Sequence, residues 1–113
     1  MGTEAPDLDT LVSELARKLS AQIRLDRILL FGSHARREAG PDSDVDLVVV
    51  SPDFAGRDYL ESVTLVRQCL PPSRNFDVDA LPRTPEELAA AAPDSFLATI
   101  LEDAVVVYPR PGA

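Results

Sequence analysis

Short apolar runs alternate along this sequence with longer segments in which apolar residues recur every three or four positions. The short runs predict buried strands, and the periodic segments predict amphipathic helices. Strands are expected at residues 27–31, 44–51, 75–81 and 104–108. Helices are expected at residues 7–23, 34–39, 57–70, 84–92 and 95–103. Because strands and helices are mixed along the whole length, the fold class is α/β or α+β.

Two of the helices carry more detailed expectations. In the segment 57–70, the apolar positions with helical spacing are expected to face the core, namely Tyr59, Leu60, Val63, Val66 and Leu70. In the segment 84–92, Thr84 is expected to cap the helix and Pro85 to occupy its first position. The alanine run at 89–92 has high helix propensity and is expected to continue this helix up to Pro93.

The length of 113 residues fits a single domain over 1–113, with tails at about 1–6 and 109–113. The lone cysteine, Cys69, cannot form an internal disulfide, which indicates a reducing compartment. The first nine residues are polar and acidic, unlike a signal peptide, and the longest apolar run, 47–50, is too short to span a bilayer. We therefore expect a cytoplasmic protein without membrane association.

The formal net charge is −8 at pH 7. An acidic surface repels the phosphate backbone of nucleic acids, so broad nucleic-acid binding is not expected. The excess of acidic residues is compatible with a set of carboxylates that bind metal ions. An acidic composition more commonly reflects a solvated surface.

The most informative stretch runs from Phe31 to Leu47 and links the first two predicted strands. It begins with Gly32-Ser33. A glycine lets a phosphate approach the backbone closely, and the helix expected after it directs its free N–H groups towards the same point. The Ser33 hydroxyl can donate a hydrogen bond to a phosphate oxygen. This pair therefore predicts a small anion-binding site, although a strand-ending turn has the same composition.

Asp44 and Asp46 follow at the start of the second predicted strand. Residues two apart in a strand point to the same face, so both carboxylates can approach one divalent cation or flank two. Asp44 could belong to an ordinary turn with Asp42 and Ser43. A turn does not explain Asp46, because aspartate is depleted in strands and Asp46 directly precedes a buried apolar run.

A third carboxylate is expected from the third predicted strand, where Asp77 and Asp79 share one face. Either could reach the metal or take the proton of an attacking hydroxyl. We favour Asp79, because it lies deeper in its strand between Val78 and Ala80, where a charge is unfavourable unless it has a partner or a function. Asp77 is kept as the alternative, and both could simply belong to the solvated face of an edge strand.

Gly32-Ser33, ten further residues and then Asp44-Val45-Asp46 resemble the signature of the DNA polymerase beta-like nucleotidyltransferase superfamily. Residues 31–50 are similar to the minimal nucleotidyltransferase family within it, and weaker similarity covers nearly the whole chain. The resemblance implies a mixed β-sheet flanked by helices. It also implies that Gly32 and Ser33 hold a triphosphate and that three aspartates, Asp44, Asp46 and Asp79, hold Mg²⁺.

Three further positions follow from the same resemblance. Arg36 and Ser43 are assigned as candidate nucleotide contacts beside Gly32 and Ser33. Family members commonly carry glycine after the arginine at position 36, whereas this chain has Arg37 there. The loop conformation is expected to differ accordingly.

The function implied is Mg²⁺-dependent transfer of AMP from ATP to a hydroxyl group, with a partner protein as the acceptor. Minimal nucleotidyltransferases are often paired with a HEPN-domain toxin and act as its antitoxin, some by adding AMP to a tyrosine of the toxin. Two alternatives stay open at this point. One is a catalytically weak binding module that neutralises a HEPN toxin by contact, and the other is a small-molecule nucleotidyltransferase.

Overall fold

The computed structural model describes residues 8–32, 35, 44–71 and 77–109. Within them lie four strands: β1 Arg27–Phe31, β2 Val45–Val50, β3 Val78–Arg83 and β4 Val105–Tyr108. The four α-helices are α1 Leu8–Ser20, α2 Tyr59–Gln68, α3 Pro85–Ala89 and α4 Phe96–Glu102. A short 3₁₀ helix, Pro52–Phe54, follows β2. The short helix predicted at 34–39 lies outside the described residues, apart from Ala35.

The strands form one mixed sheet in the order β3-β2-β1-β4. β1 pairs antiparallel with both β2 and β4, whereas β2 pairs parallel with β3. The parallel pair needs a crossover, and α2 provides it between β2 and β3. β3 and β4 are therefore the two edges of the sheet, and the predicted mixed sheet with flanking helices is confirmed.

β2 is the centre of the core because it is covered on both faces. Val45, Leu47 and Val49 pack with the buried residues of α1, and Val66 and Cys69 lie in the same cluster. On the other face, Val48 and Val50 pack with Leu29 against residues of α3 and α4 that include Leu88 and Leu101. Since every residue of β2 except Asp46 is buried, this strand shows the continuous apolar pattern typical of a central strand.

The start of α3 agrees with the prediction in detail. Thr84 caps the helix, accepting a hydrogen bond from the Glu87 N–H, while the Glu87 side chain accepts one from the Thr84 N–H. This reciprocal capping box satisfies two N–H groups at the helix start. The predicted end is wrong, because α3 stops at Ala89 and the rest of the alanine run lies outside it. Pro93 explains part of this difference, since a proline disfavours helical backbone in the residue before it.

The start of α2 corrects a second expectation. Tyr59 and Leu60 were predicted to face the core, yet their side chains are 50% and 70% exposed. The buried positions of the helix are Ser62 and Val66. Leu60 lies on the opposite side of the helix from them, and Tyr59 lies in the first turn, where the Arg83 guanidinium sits 5.8 Å from its ring centroid.

The predicted strand at 75–81 is shifted, because β3 begins at Val78 and continues through Pro82 to Arg83. Proline lacks the N–H that a central strand needs, but an edge strand tolerates it. None of the described helices is both long and apolar enough to cross a membrane.

Candidate active site

Asp46 and Asp79 lie directly opposite each other on neighbouring strands. They are register partners in the parallel pair of β2 and β3, so their Cα atoms are separated by one strand spacing, about 4.8 Å. The register also places their side chains on the same face of the sheet. Asp46 is partly buried, whereas Asp79 is exposed on the edge strand. Two carboxylates from distant parts of the chain are thus brought side by side.

Gly32 approaches the same point from β1. Phe31, the residue before it, pairs with Asp46 across the antiparallel ladder. Gly32 has a φ of +76°, which is a conformation that residues with a Cβ rarely adopt. A Cβ built at this position would lie only 2.5 Å from Oδ2 of Asp46. The glycine is therefore required both for the turn and for the close approach of the backbone to the Asp46 carboxylate.

Asp44 and Asp77 lie two residues before Asp46 and Asp79, at the start of the two strands. Each precedes its strand by one residue, and both are exposed. The Val45 N–H donates a 2.9 Å hydrogen bond to the Asp77 carbonyl, so the pairing of the two strands continues to this point. Asp44 therefore precedes Asp46 by two residues, the spacing at which strand residues share a face, and Asp77 precedes Asp79 in the same way.

A model of the nucleotidyltransferase domain family matches residues 8–108, nearly the whole chain. The chain belongs to this family. A search of curated proteins finds no match. Among solved structures, the crystal structure of a candidate nucleotidyltransferase from Sulfolobus solfataricus has a TM-score of 0.65 and 19% sequence identity. The alignment covers 94% of this chain and 84% of that one, so this nucleotidyltransferase and the Sulfolobus protein have the same fold.

For this nucleotidyltransferase, the sequence-based choice of Asp79 over Asp77 rested on a position deeper in the strand, and β3 does contain Asp79 but not Asp77. The Asp79 side chain is nevertheless exposed, so burial does not distinguish it from Asp77. What distinguishes Asp79 is its register with Asp46, which only the pairing of β2 with β3 defines. Of the other predicted site residues, Ser33, Arg36 and Ser43 lie outside the described residues, as does Arg37.

The donor set determines which metal ion the site could hold. In the described part of the chain, no group of three or more acidic, histidine or cysteine side chains is close enough to hold a metal ion. The three-carboxylate site therefore stays a prediction. Mg²⁺ is usually held by only one or two carboxylates, with water and substrate phosphates as its other ligands. The Asp46–Asp79 pair beside the backbone of Gly32 fits that requirement, with Asp44 two residues before Asp46.

A cavity of about 480 Å³ opens beside the carboxylate pair, on the side of β3 and α2. Its walls include both Asp46 and Asp79 together with Tyr59, Leu60 and Phe96. Those three large apolar side chains are at least half exposed. Sequence reasoning missed them as site residues, because Tyr59 and Leu60 fit a helical apolar stripe and Phe96 starts a separate helix. The signal that could have found them is that this apolar stripe is short. One of the buried positions of α2 carries a small polar residue, Ser62, instead of an apolar one.

Proposed function

We propose that this nucleotidyltransferase moves AMP from ATP to a hydroxyl group of a partner protein, with Mg²⁺ as its cofactor. The observation that carries the proposal is the convergence of three strand ends. Asp46 and Asp79 face each other in register, and Gly32 brings bare backbone against Asp46. Phosphoryl-type transfer depends mainly on positioning and charge stabilisation, which is what such an arrangement supplies.

Each residue has a distinct role in the proposed reaction. The Gly32 backbone, with Ser33, receives the triphosphate, for which Arg36 and Ser43 are further candidate contacts. Asp44 and Asp46 would hold Mg²⁺, and Asp79 either completes that set or accepts the proton of the attacking hydroxyl. When bound, Mg²⁺ supplies positive charge that offsets the charge on the phosphates.

The proposed reaction is a single displacement at the α-phosphorus of ATP. The acceptor oxygen forms a bond to the α-phosphorus, and the bond between that phosphorus and the bridging oxygen of pyrophosphate breaks. The proton of the hydroxyl passes to a carboxylate, for which Asp79 is the candidate. The products are an AMP ester of the acceptor and free pyrophosphate.

The choice of a protein acceptor is supported by charge and by resemblance. The formal net charge of −8 disfavours a nucleic-acid acceptor. The similarity of residues 31–50 to minimal nucleotidyltransferases adds a specific candidate, a HEPN-type toxin for which this chain would serve as antitoxin. A contact antitoxin without catalysis is the rival, and it predicts that the carboxylates are dispensable.

Asp46→Asn tests the catalytic proposal, because it keeps the size of the side chain and removes its charge. With labelled ATP and Mg²⁺, wild type should add AMP to the acceptor, whereas the variant should lose at least about 100-fold in rate. Asp94→Asn, in an exposed turn between α3 and α4, is the matched control and should behave as wild type. Mg²⁺ with ATP should also raise the melting temperature of wild type more than either alone.

Two results would count against the proposal. If calorimetry detects no ATP binding in the presence of Mg²⁺ or Mn²⁺, the catalytic assignment is wrong. If an Asp44→Asn/Asp46→Asn double variant transfers nothing yet protects cells from the toxin as well as wild type, neutralisation works by contact and not by transfer.

A further inference from the structure

The large apolar side chains that the described residues expose fall into two places. Tyr59, Leu60 and Phe96 line the cavity that contains Asp46 and Asp79. Val105 and Val106 lie on β4, at the other edge of the sheet. Exposed aromatic and aliphatic side chains gathered beside a charged pair are more than the scattered apolar residues of an ordinary surface.

The order of the strands shows on which side of the proposed reaction the cavity lies. Gly32 follows the last residue of β1, Asp46 lies on the neighbouring strand β2, and Asp79 lies on the edge strand β3. In a phosphoryl-type displacement, the attacking and leaving oxygens lie roughly in line on opposite sides of the phosphorus. If the triphosphate lies at Gly32, the attacking hydroxyl must approach from the β3 side, where the cavity opens.

We propose that this cavity receives the acceptor, and that the acceptor is a protein segment whose hydroxyl-bearing residue is flanked by apolar side chains. Leu60 and Phe96 would contact the flanking residues while the hydroxyl reaches Asp79. This inference rests on the proposed nucleotidyl transfer and adds the docking site and the chemistry of the acceptor segment.

The wall chemistry favours a protein over the other hydroxyl-bearing acceptors. A sugar acceptor needs many polar partners, yet the wall formed by Tyr59, Leu60, Phe96 and Leu81 is largely apolar. A nucleic acid needs several cations, and among the described residues the cavity wall offers one, Arg67. Aromatic and aliphatic anchors around a small charged centre are instead the usual composition of a protein-binding surface.

A peptide array tests the proposal directly. Its peptides carry a central tyrosine, serine or threonine with either apolar or polar flanking residues, and an RNA oligonucleotide and an aminoglycoside are assayed beside it with labelled ATP and Mg²⁺. Wild type should label peptides with apolar flanks. Leu60→Ser and Phe96→Ser should each raise KM for the best peptide at least about tenfold and leave kcat within about twofold. Val105→Ser, which truncates another exposed apolar side chain on β4, outside the cavity, should leave both constants unchanged.

The outcomes separate this inference from the function on which it rests. If wild type labels no acceptor of any class and binds no ATP, the proposed function has failed. If wild type transfers AMP to RNA or to the sugar, or prefers polar peptides, transfer stands and the acceptor inference is overturned. It is equally overturned if Leu60→Ser and Phe96→Ser keep the wild-type KM, provided that circular dichroism shows that both variants fold.

Discussion

Two glycines of this nucleotidyltransferase have almost the same positive φ angle but different surroundings. Gly32 and Gly56 have φ values of +76° and +75°. A Cβ at Gly32 would meet the Asp46 carboxylate, whereas a Cβ at Gly56 would meet nothing within 4 Å. Comparing the two positions therefore separates the backbone requirement for glycine from the requirement for space beside Asp46.

Gly32→Ala and Gly56→Ala should each lose about 1 to 2 kcal/mol of unfolding free energy, because a side chain disfavours positive φ. Gly32→Ala should in addition lower nucleotide transfer by about 100-fold, since the new methyl group displaces the Asp46 carboxylate. Urea unfolding and the labelled-ATP assay measure the two effects. If Gly56→Ala loses as much activity as Gly32→Ala, the close approach to Asp46 has no functional role.

The choice between Asp79 and Asp77 can also be tested one residue at a time. Asp79→Asn should lower turnover by at least about 100-fold while ATP binding changes less, because a contact to the reacting groups is removed. Asp77→Asn is the matched control, since it removes the same charge two residues before Asp79, away from the Asp46–Asp79 pair. Near-normal transfer by Asp79→Asn together with loss of transfer in Asp77→Asn would reverse the assignment.

Among the structural elements, the segment that leads into β1 is tied to the 3₁₀ helix after β2. The main-chain N–H and the guanidinium of Arg24 donate three hydrogen bonds to the Asp53 carboxylate, at 2.8, 3.1 and 2.7 Å. Beside them, the buried Ser51 hydroxyl donates to the Arg24 carbonyl and accepts from the Asp53 N–H. The hydrogen bonds from Arg24 hold the pKa of Asp53 below its usual range.

This lowered pKa gives a pH-dependent contribution to stability. Because the folded state favours the ionised carboxylate, the contribution is fully present above the unfolded pKa of about 3.9 and is lost as the pH falls through the lower folded value. The stability difference between wild type and Asp53→Asn should therefore be constant near neutral pH and shrink below about pH 4. Urea unfolding from pH 7 to pH 3 measures it.

A matched control for Asp53 is Asp26→Asn. Asp26 forms an exposed pair with its neighbour Arg27 through one hydrogen bond. Its replacement should cost less than Asp53→Asn at pH 7, because an exposed pair between adjacent residues contributes little. Equal losses from the two variants at pH 7 would contradict the structural role of the Arg24–Asp53 contact.

For the helices and strands, the sequence predicts most of the fold and only part of the site. Apolar periodicity depends on neighbouring residues, so it identified four strands and four of the helices that the structure describes. It could not show that the first turn of α2 leaves Leu60 exposed, since that depends on which helix face meets the sheet. Nor could it show that Asp79 pairs with Asp46, because strand register is a long-range property.

For the molecule as a whole, Cys69 reports on the integrity of the core. Its side chain is 2% exposed, and burial raises the pKa of the thiol. The side-chain amide of Gln22 donates a hydrogen bond to its Sγ. The thiol is therefore shielded in the folded state and becomes reactive only when the domain opens.

Labelling of Cys69 by a thiol reagent at pH 8 should accordingly be slower in the folded protein than in denaturant by orders of magnitude, as only opened molecules react. Mg²⁺ and ATP together should slow it further if they bind the folded state alone. The time course of labelling, followed by absorbance, measures both effects. Rapid labelling of the native protein would show that the end of α2, which Cys69 follows, opens independently of the core.

Because β3 lies at the edge of the sheet, the candidate site can be lost while the rest of the domain stays folded. Among the strands that the structure describes, β3 pairs with β2 alone, whereas β2 pairs with both β3 and β1. Edge elements open locally at a lower free energy than the centre of a domain. Fraying of β3 would carry Asp79 away from Asp46 while α1 stays packed on the inner strands. Heat inactivation of this enzyme should therefore precede melting, so an inactive sample can still be a folded one.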